Sequence, residues 1–351
     1  MAISEKNLQR IKKYLDESKK PIFFFDDDPD GLSSFLLFYR YVKRGKGVIV
    51  KSSPMLKEEY AIKANEYYAD TVFVLDKPLT TQEFVDGCVS NNIVILDHHP
   101  VIKLKGVHYF NPRISNSSDN RPTSYWAYRV VNQDLWIAMT GIIGDWYIPP
   151  DLIDKFRKLY PELVPKKYKD PGDMLFESPL GRLSRIFSFV LKGRSQEVMK
   201  AIKILTRITS PSEIMNQETA RGRFIYKKFE KVESEYEKLL SSAMKHVQDK
   251  HFIVFTYPGR KTSFTGELSN ELLHRFPDKI NIIGREKSGF VRCSIRSKDI
   301  SIPPILKKAL VGIRGYGGGH DHACGASIKV DDFNKFVEQF KLAVNEQLVE
   351  K

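Results

Sequence analysis

The sequence predicts an α/β protein: an N-terminal domain on a parallel sheet, a helical connection, and a smaller C-terminal α/β domain. Three observations predict it. Short apolar runs alternate with helical patterns through the first 150 residues. Acidic residues stand at the ends of three of those runs. Strand and helix patterns resume near His251 after a long helical stretch.

The runs come in order. Ile22-Phe23-Phe24-Phe25, Val48-Ile49-Val50, Val72-Phe73-Val74-Leu75 and Ile93-Val94-Ile95-Leu96 lack polar alternation, as strands buried on both faces of a parallel sheet do. Between them, residues 32–42, 57–68 and 80–90 read as helices. Residues 151–180, rich in Pro, Asp and Lys, read as a connection, and residues 181–247 as helix with long polar faces. Strands are expected at 252–256, 280–283 and 290–295, and helices at 267–274, 305–310 and 333–348. Domains follow at 1–150, 151–247 (a linker or arm) and 248–351, and a length of 351 residues fits such a division.

With 42% hydrophobic and 12% aromatic residues, the chain can build real cores, which argues against disorder. No apolar run approaches the ~18–20 residues that span a bilayer. The N-terminal segment from Met1 to Lys6 lacks the layout of a signal peptide, so a cytoplasmic protein with no membrane partner is expected. Cys88, Cys293 and Cys324 are far apart and form no Cys-x-x-Cys pair, which argues against a disulfide framework or zinc knuckle. The formal charge of +13 favours a polyanionic partner, because neutralising phosphates releases counterions. Residues 181–246 carry 14 Lys/Arg against 7 Asp/Glu, about half of that excess.

Asp26, Asp76 and Asp97 each follow a predicted strand. Ligands of open parallel sheets bind beyond the carboxyl ends of the strands, so the three acids should converge there. Asp26-Asp27-Asp28-Pro29-Asp30-Gly31 packs four acids into five positions. One or two would suit a helix N-cap. Four repel one another unless a cation offsets them, and alternate acids after a strand suit a hard divalent ion. Asp97-His98-His99 adds imidazole nitrogen to carboxylate oxygen, a mixture suited to Mn, Fe or Zn rather than Ca or Mg. Consecutive side chains diverge, so one His is expected on metal and the other toward substrate. Asp76 and Asp145 would each pass for an ordinary surface or capping acid if met alone, and gain weight as members of the set. In Gly315-Tyr316-Gly317-Gly318-Gly319-His320, three glycines permit close backbone approach and amides that cradle an anion. Upstream, Arg292 and Arg296 share one face of a strand and offer a bidentate phosphate clamp.

Taken together, these motifs resemble the DHH/DHHA1 phosphoesterase superfamily, especially its RecJ-like nucleases, over nearly the whole chain. Residues 26–31 look like the first motif, Asp76 the second, Asp97-His98-His99 the third and Asp145 the fourth. Asn111-Pro112-Arg113 resembles the Asn-Pro that follows the third. Gly317-Gly318-Gly319-His320 resembles the glycine-histidine motif of the DHHA1 domain, with Ser294-Ile295-Arg296-Ser297 and Asn270 where similar residues occur upstream. The first motif departs in having no His at or before its start, which argues against the small-molecule pyrophosphatase branch. The chain looks most like the compact RecJ-like proteins of archaea.

The resemblance implies a DHH domain, a helical arm and a substrate-binding DHHA1 domain facing across a cleft. It implies two Mn²⁺ ions, Mg²⁺ being a possible substitute, held by Asp26, Asp28, Asp30, Asp76, His98 and Asp145. Within that set Asp76 bridges. His99 would contact the scissile phosphate or assist proton transfer, and Asp97 would orient the imidazoles. Gly317, Gly318, Gly319, His320, Arg296, Asn270 and Arg292 would bind substrate. The expected activity is single-strand-specific exonucleolysis of DNA or RNA in repair, replication or RNA turnover. The alternatives are an enzyme for nanoRNA, cyclic dinucleotides or phosphoadenosine phosphate, and a Cdc45-like scaffold without activity. A replication or repair partner and the oligomeric state are left open.

Overall fold

The computed structural model describes residues 3–51, 55–90, 92–259 and 262–349, so Met1 and Ala2 of the N-terminal segment lie outside the described residues. The chain forms two compact units, one up to Phe229 and one from Glu230 onward.

The strands of the first unit are β1 (Pro21–Asp26), β2 (Lys46–Val50), β3 (Met55–Leu56), β4 (Thr71–Leu75), β5 (Leu79–Thr80), β6 (Ile93–Leu96) and β7 (His108–Phe110). β3 and β5 make a small ribbon, and the others form one parallel sheet in the order β2-β1-β4-β6-β7. The helices are α1 (Glu5–Glu17), α2 (Pro29–Val42), α3 (Glu58–Glu66), α4 (Gln82–Gly87), α5 (Thr123–Val131) and α6 (Leu135–Gly144). After them come α7 (Ile153–Leu159), α8 (Pro171–Glu177), α9 (Pro179–Val190), α10 (Ser195–Leu205) and α11 (Pro211–Met215), and then α12 (Ala220–Ala243), within which the division between the units falls. The stretch read as a connection at 151–180 therefore carries α7 and α8.

Period-two alternation divides the sheet residues between two cores. Ile22, Phe24, Val72, Val74, Ile93 and Ile95 pack with Tyr60, Ala61, Phe84 and Val85 of α3 and α4. On the opposite face, Phe25 stacks on Phe35 of α2 at 4.5 Å and Phe23 on Phe73 at 5.1 Å. Both faces are dry, which is why the strands read as unbroken apolar runs. β7 was not foreseen. It has three residues, two of them half-exposed, too few to give a pattern.

The register sets the strand ends level. Phe25 lies opposite Leu75, Leu75 opposite Leu96, and Leu96 opposite Phe110. Strand order reverses at β1, since β2 lies on one side of it and β4 on the other. The switch point, where open α/β sheets bind ligands, is thus at the carboxyl ends of β1 and β4.

The second unit has β8 (Phe252–Pro258), β9 (Ile280–Lys287), β10 (Phe290–Arg296), β11 (Gly315–His320) and β12 (Ala323–Lys329), in the order β11-β12-β10-β9-β8. β8 and β9 are parallel and the other pairs antiparallel. Its helices are α13 (Thr265–Arg275), α14 (Ile302–Ala309) and α15 (Phe333–Val349). Ser288 and Gly289 both have positive φ, as a two-residue hairpin turn between β9 and β10 requires. Ile282, Ile295, Ile305, Leu306, Ile328, Phe336 and Phe340 centre its core. The glycine run, where no strand was expected, is edge strand β11, paired to β12 from Gly315↔Ile328 to His320↔Ala323.

Candidate metal centre

β1 delivers the acidic loop. Asp28 caps α2, accepting the N–H of Gly31 at 2.8 Å, with Pro29 and Asp30 in the first turn. Proline and carboxylates suit that end of a helix. Gly31 is required there, since a Cβ would lie 2.7 Å from the backbone N and O of Asp26.

Asp30 is buried and accepts the backbone N–H of Thr123 at 2.7 Å and of Ser124 at 2.9 Å, and also the Ser124 hydroxyl. α5 thus turns its first amides onto a carboxylate of α2. Thr123 also donates its hydroxyl to Asp76 Oδ1 at 3.1 Å. Asp76 has φ +57°, a left-handed conformation that costs a non-glycine residue energy. Its backbone N–H, bonded to Leu96 C=O at 3.0 Å, helps to hold it there.

His98 joins the pieces. Its Nε2 lies 3.4 Å from Asp76 Oδ1 and 3.3 Å from Asp145 Oδ2, at the C-cap of α6. Two sets of donor atoms result, Asp76-His98-His99 and Asp30-His98-Asp145, the atoms of each lying within 4.8 Å of one another. Carboxylate oxygen and imidazole nitrogen at that spacing fit divalent manganese, iron or zinc. Electrostatics agree with the fit. Burial pushes the carboxyls of Asp28 and Asp76 well above the usual range, and neighbouring carboxylates, Asp26 foremost for Asp28 and Asp30 for Asp76, push further. Burial also raises Asp145, against the opposing pull of His98. A divalent cation relieves such crowding.

His99 has different company. Its Nδ1 is 2.9 Å from Asp97 Oδ1. Burial draws the imidazole pKa down, but the hydrogen bond and charge of Asp97, joined by the charges of Asp145 and Asp28, outweigh it, leaving the ring at about 8. Asn111 donates to Asp97 Oδ2 at 3.3 Å and to His99 C=O at 2.9 Å, and stands 3.0 Å from the Tyr109 hydroxyl. Asn111-Pro112 thereby braces the Asp-His-His segment.

Asp26, like Asp28, stands outside both donor sets. It pairs with Lys77, Nζ to Oδ1 at 2.7 Å, and also accepts the N–H of Asp27. Lys77, Thr123, Ser124 and Tyr109 were missed by sequence reasoning. The available signals were the position of Lys77 directly after Asp76 and the Thr-Ser pair that follows Pro122.

In the second unit, Gly317, Gly318, Gly319 and His320 are exposed along β11. Arg296 donates to Asn270 Oδ1 at 2.9 Å, Ile295 C=O at 3.0 Å and Cys324 C=O at 3.3 Å, and burial lowers its pKa. Arg292, on the same face of β10, is exposed.

Residues 249–346 match the family model of the DHHA1 domain. The fold is similar to that of RecJ from Thermus thermophilus in complex with Mn²⁺, with a TM-score of 0.69 at 16% identity over 98% of this chain and 55% of that one. It is similar to an exonuclease RecJ bound to manganese, with a TM-score of 0.59 at 14% identity over 98% and 96%. It is also similar to the DHH domain of a member of the s1p family of ribosomal proteins, with a TM-score of 0.65 at 16% identity over 97% and 89%. This chain thus spans about half the length of the Thermus RecJ. No curated protein sequence matches it. Among the described residues no helix is long and apolar enough to cross a membrane.

Proposed function

We propose that this chain, whose residues 249–346 match the DHHA1 domain and whose fold is similar to that of RecJ, is a DHH/DHHA1 phosphoesterase, a metal-dependent phosphodiesterase that shortens single-stranded DNA or RNA from an end. The observation that carries this reading is the position of His98, within 3.4 Å of Asp76 and 3.3 Å of Asp145 at the switch point of a parallel sheet. Manganese in the RecJ structures of similar fold supports the metal, and one of those proteins being an exonuclease supports the reaction class.

Asp28, Asp30, Asp76, His98 and Asp145 would hold two divalent ions, Mn²⁺ or Mg²⁺. When bound, the ions supply charge stabilisation for the attacking and leaving oxygens of a phosphoryl group. The α5 amides and hydroxyls fix Asp30 and Asp76 before any ligand arrives. A carboxylate only accepts, so the Asp97 bond places the hydrogen on Nδ1 of His99 and leaves Nε2 for substrate. Below about pH 8 that nitrogen also carries a proton, so His99 acts as a donor to a phosphate oxygen or to the leaving oxygen. Asp97 is the positioning group of that imidazole. Arg296 with Asn270, Arg292, and the Gly317-Gly318-Gly319-His320 strand are the proposed phosphate contacts of the DHHA1 unit. The +13 charge fits a polyanionic strand.

A series of DNA and RNA oligomers from two to about thirty nucleotides, labelled at either end and incubated with Mn²⁺, tests the substrate. Stepwise shortening of long strands is expected. Cleavage confined to dimers and trimers would replace the exonuclease reading with an oligonucleotide-scavenging one.

A further inference from the structure

Lys77 follows Asp76 at the carboxyl end of β4, and Asp26 ends the neighbouring strand β1. The pairing of Phe25 with Leu75 sets Asp26 level with Asp76. Lys77 Nζ lies 2.7 Å from Asp26 Oδ1, and its side chain is only 3% exposed. An ammonium taken that far out of water needs a counter-charge. Asp26 supplies it, and the same carboxyl oxygen also accepts the Asp27 amide at 2.9 Å. Asp26 is thus engaged by two donors, one of them an ammonium, and like Asp28 it belongs to neither set of convergent metal donors.

We propose that Lys77 is a positioning residue that keeps Asp26 out of the metal shell. The ammonium stands where Asp26 would otherwise draw a divalent ion. The convergent donors are then Asp30, Asp76, His98 and Asp145, with Asp28, the N-cap of α2, beside Asp30 in the chain, and the first acid of the loop serves Lys77 instead. The assignment rests on the metal-site reading above and narrows it. Of four acids between residues 26 and 30, only the second pair, Asp28 and Asp30, is left to the ions.

The test is Mn²⁺ binding to the full chain, followed by calorimetry and by electron paramagnetic resonance of free Mn²⁺. The proteins compared are the unaltered chain, Asp26→Asn, Lys77→Met, Lys77→Arg, Asp26→Asn/Lys77→Met, and Asp30→Asn as a ligand control. Asp26→Asn is expected to keep the number of bound ions, with affinity within about threefold. Asp30→Asn should lose an ion or at least about tenfold in affinity. Lys77→Met frees Asp26 to join the ligands and should tighten binding by about fivefold or more. The double variant should return toward the unaltered value, and Lys77→Arg should behave like the unaltered chain. Loss of affinity in Asp26→Asn equal to that of Asp30→Asn overturns the proposal. So does an unchanged affinity in Lys77→Met. If Lys77→Met fails to fold by circular dichroism, the double variant, which buries no lone charge, decides with Asp26→Asn. A chain that binds no Mn²⁺ at all overturns the metal-site reading together with this inference, whereas bound ions lost with Asp26 overturn the inference alone.

Discussion

His99 and Asp97 share a hydrogen bond of 2.9 Å, made by the imidazole Nδ1 to a carboxylate that is itself buried. Asp97→Asn keeps the shape and removes the charge. Without that charge the imidazole loses the strongest of the influences that raise it, leaving Asp145 and Asp28 against burial, and its pKa falls. The fraction of protonated His99 then falls at neutral pH. We expect kcat to drop about 10²-fold with little change in KM. The alkaline limb of the pH profile should move toward acid. Initial rates between pH 5.5 and 9 check both.

Thr123→Val keeps volume and removes the hydroxyl that bonds Asp76 at 3.1 Å. Partners that orient metal ligands matter nearly as much as the ligands. Mn²⁺ affinity should weaken about tenfold or more, read from the Mn²⁺ dependence of the rate and from calorimetry. The melting temperature should fall as well, since a buried carboxylate loses a donor.

Gly31→Ala would bring a methyl to 2.7 Å from the Asp26 backbone. The neighbours there are main chain and cannot swing aside, so α2 must shift. A loss of about 2 kcal/mol or more in urea unfolding is expected, together with most of the activity. Gly289, with nothing near its Cβ position, has a positive φ but no crowding. An alanine there should cost stability without touching catalysis.

Asp70 ties the start of β4 to the turn before β1. It accepts the amides of Lys19 at 2.7 Å and Lys20 at 2.9 Å, and the Ser18 hydroxyl. Burial alone would raise its pKa, but these donors outweigh burial and hold it below the ordinary value. Stability from a depressed carboxyl is present above the unfolded value, about 3.9, and is lost as pH falls through the folded one. Asp70→Ala should therefore destabilise the chain at pH 7 by about 0.5–1.5 kcal/mol, since solvent screens an exposed carboxylate. The gap from the unaltered protein should close in acid, which thermal melts between pH 2 and 7 would reveal.

Much of the first sheet was legible because its strands are buried on both faces and end on acids, as at Phe25-Asp26, Leu75-Asp76 and Leu96-Asp97. Those features are local. Asp145 was legible only as a member of a set, because its role depends on a 3.3 Å approach to a residue 47 positions earlier. The Asp30–Thr123 contact, across 93 positions, left no local trace. β11 was not foreseen, for a different reason. Glycine is a poor strand former, and this strand is held by backbone pairing to β12 with every residue exposed. Asp26 was read as one more acid in a run, since nothing before the fold reveals that a lysine from the next strand reaches it at 2.7 Å.

The central claim is that Asp76, His98 and Asp145 form a metal centre that cuts phosphodiesters. Its most direct test is the Mn²⁺-dependent hydrolysis of an end-labelled single-stranded oligonucleotide by the unaltered chain and by His98→Ala, each with and without EDTA. The account predicts metal-dependent shortening by the unaltered chain, abolished by EDTA and reduced by at least about 10³-fold in the variant. Hydrolysis that survives both EDTA and the loss of His98, or its absence from the unaltered chain under every divalent metal, would contradict it.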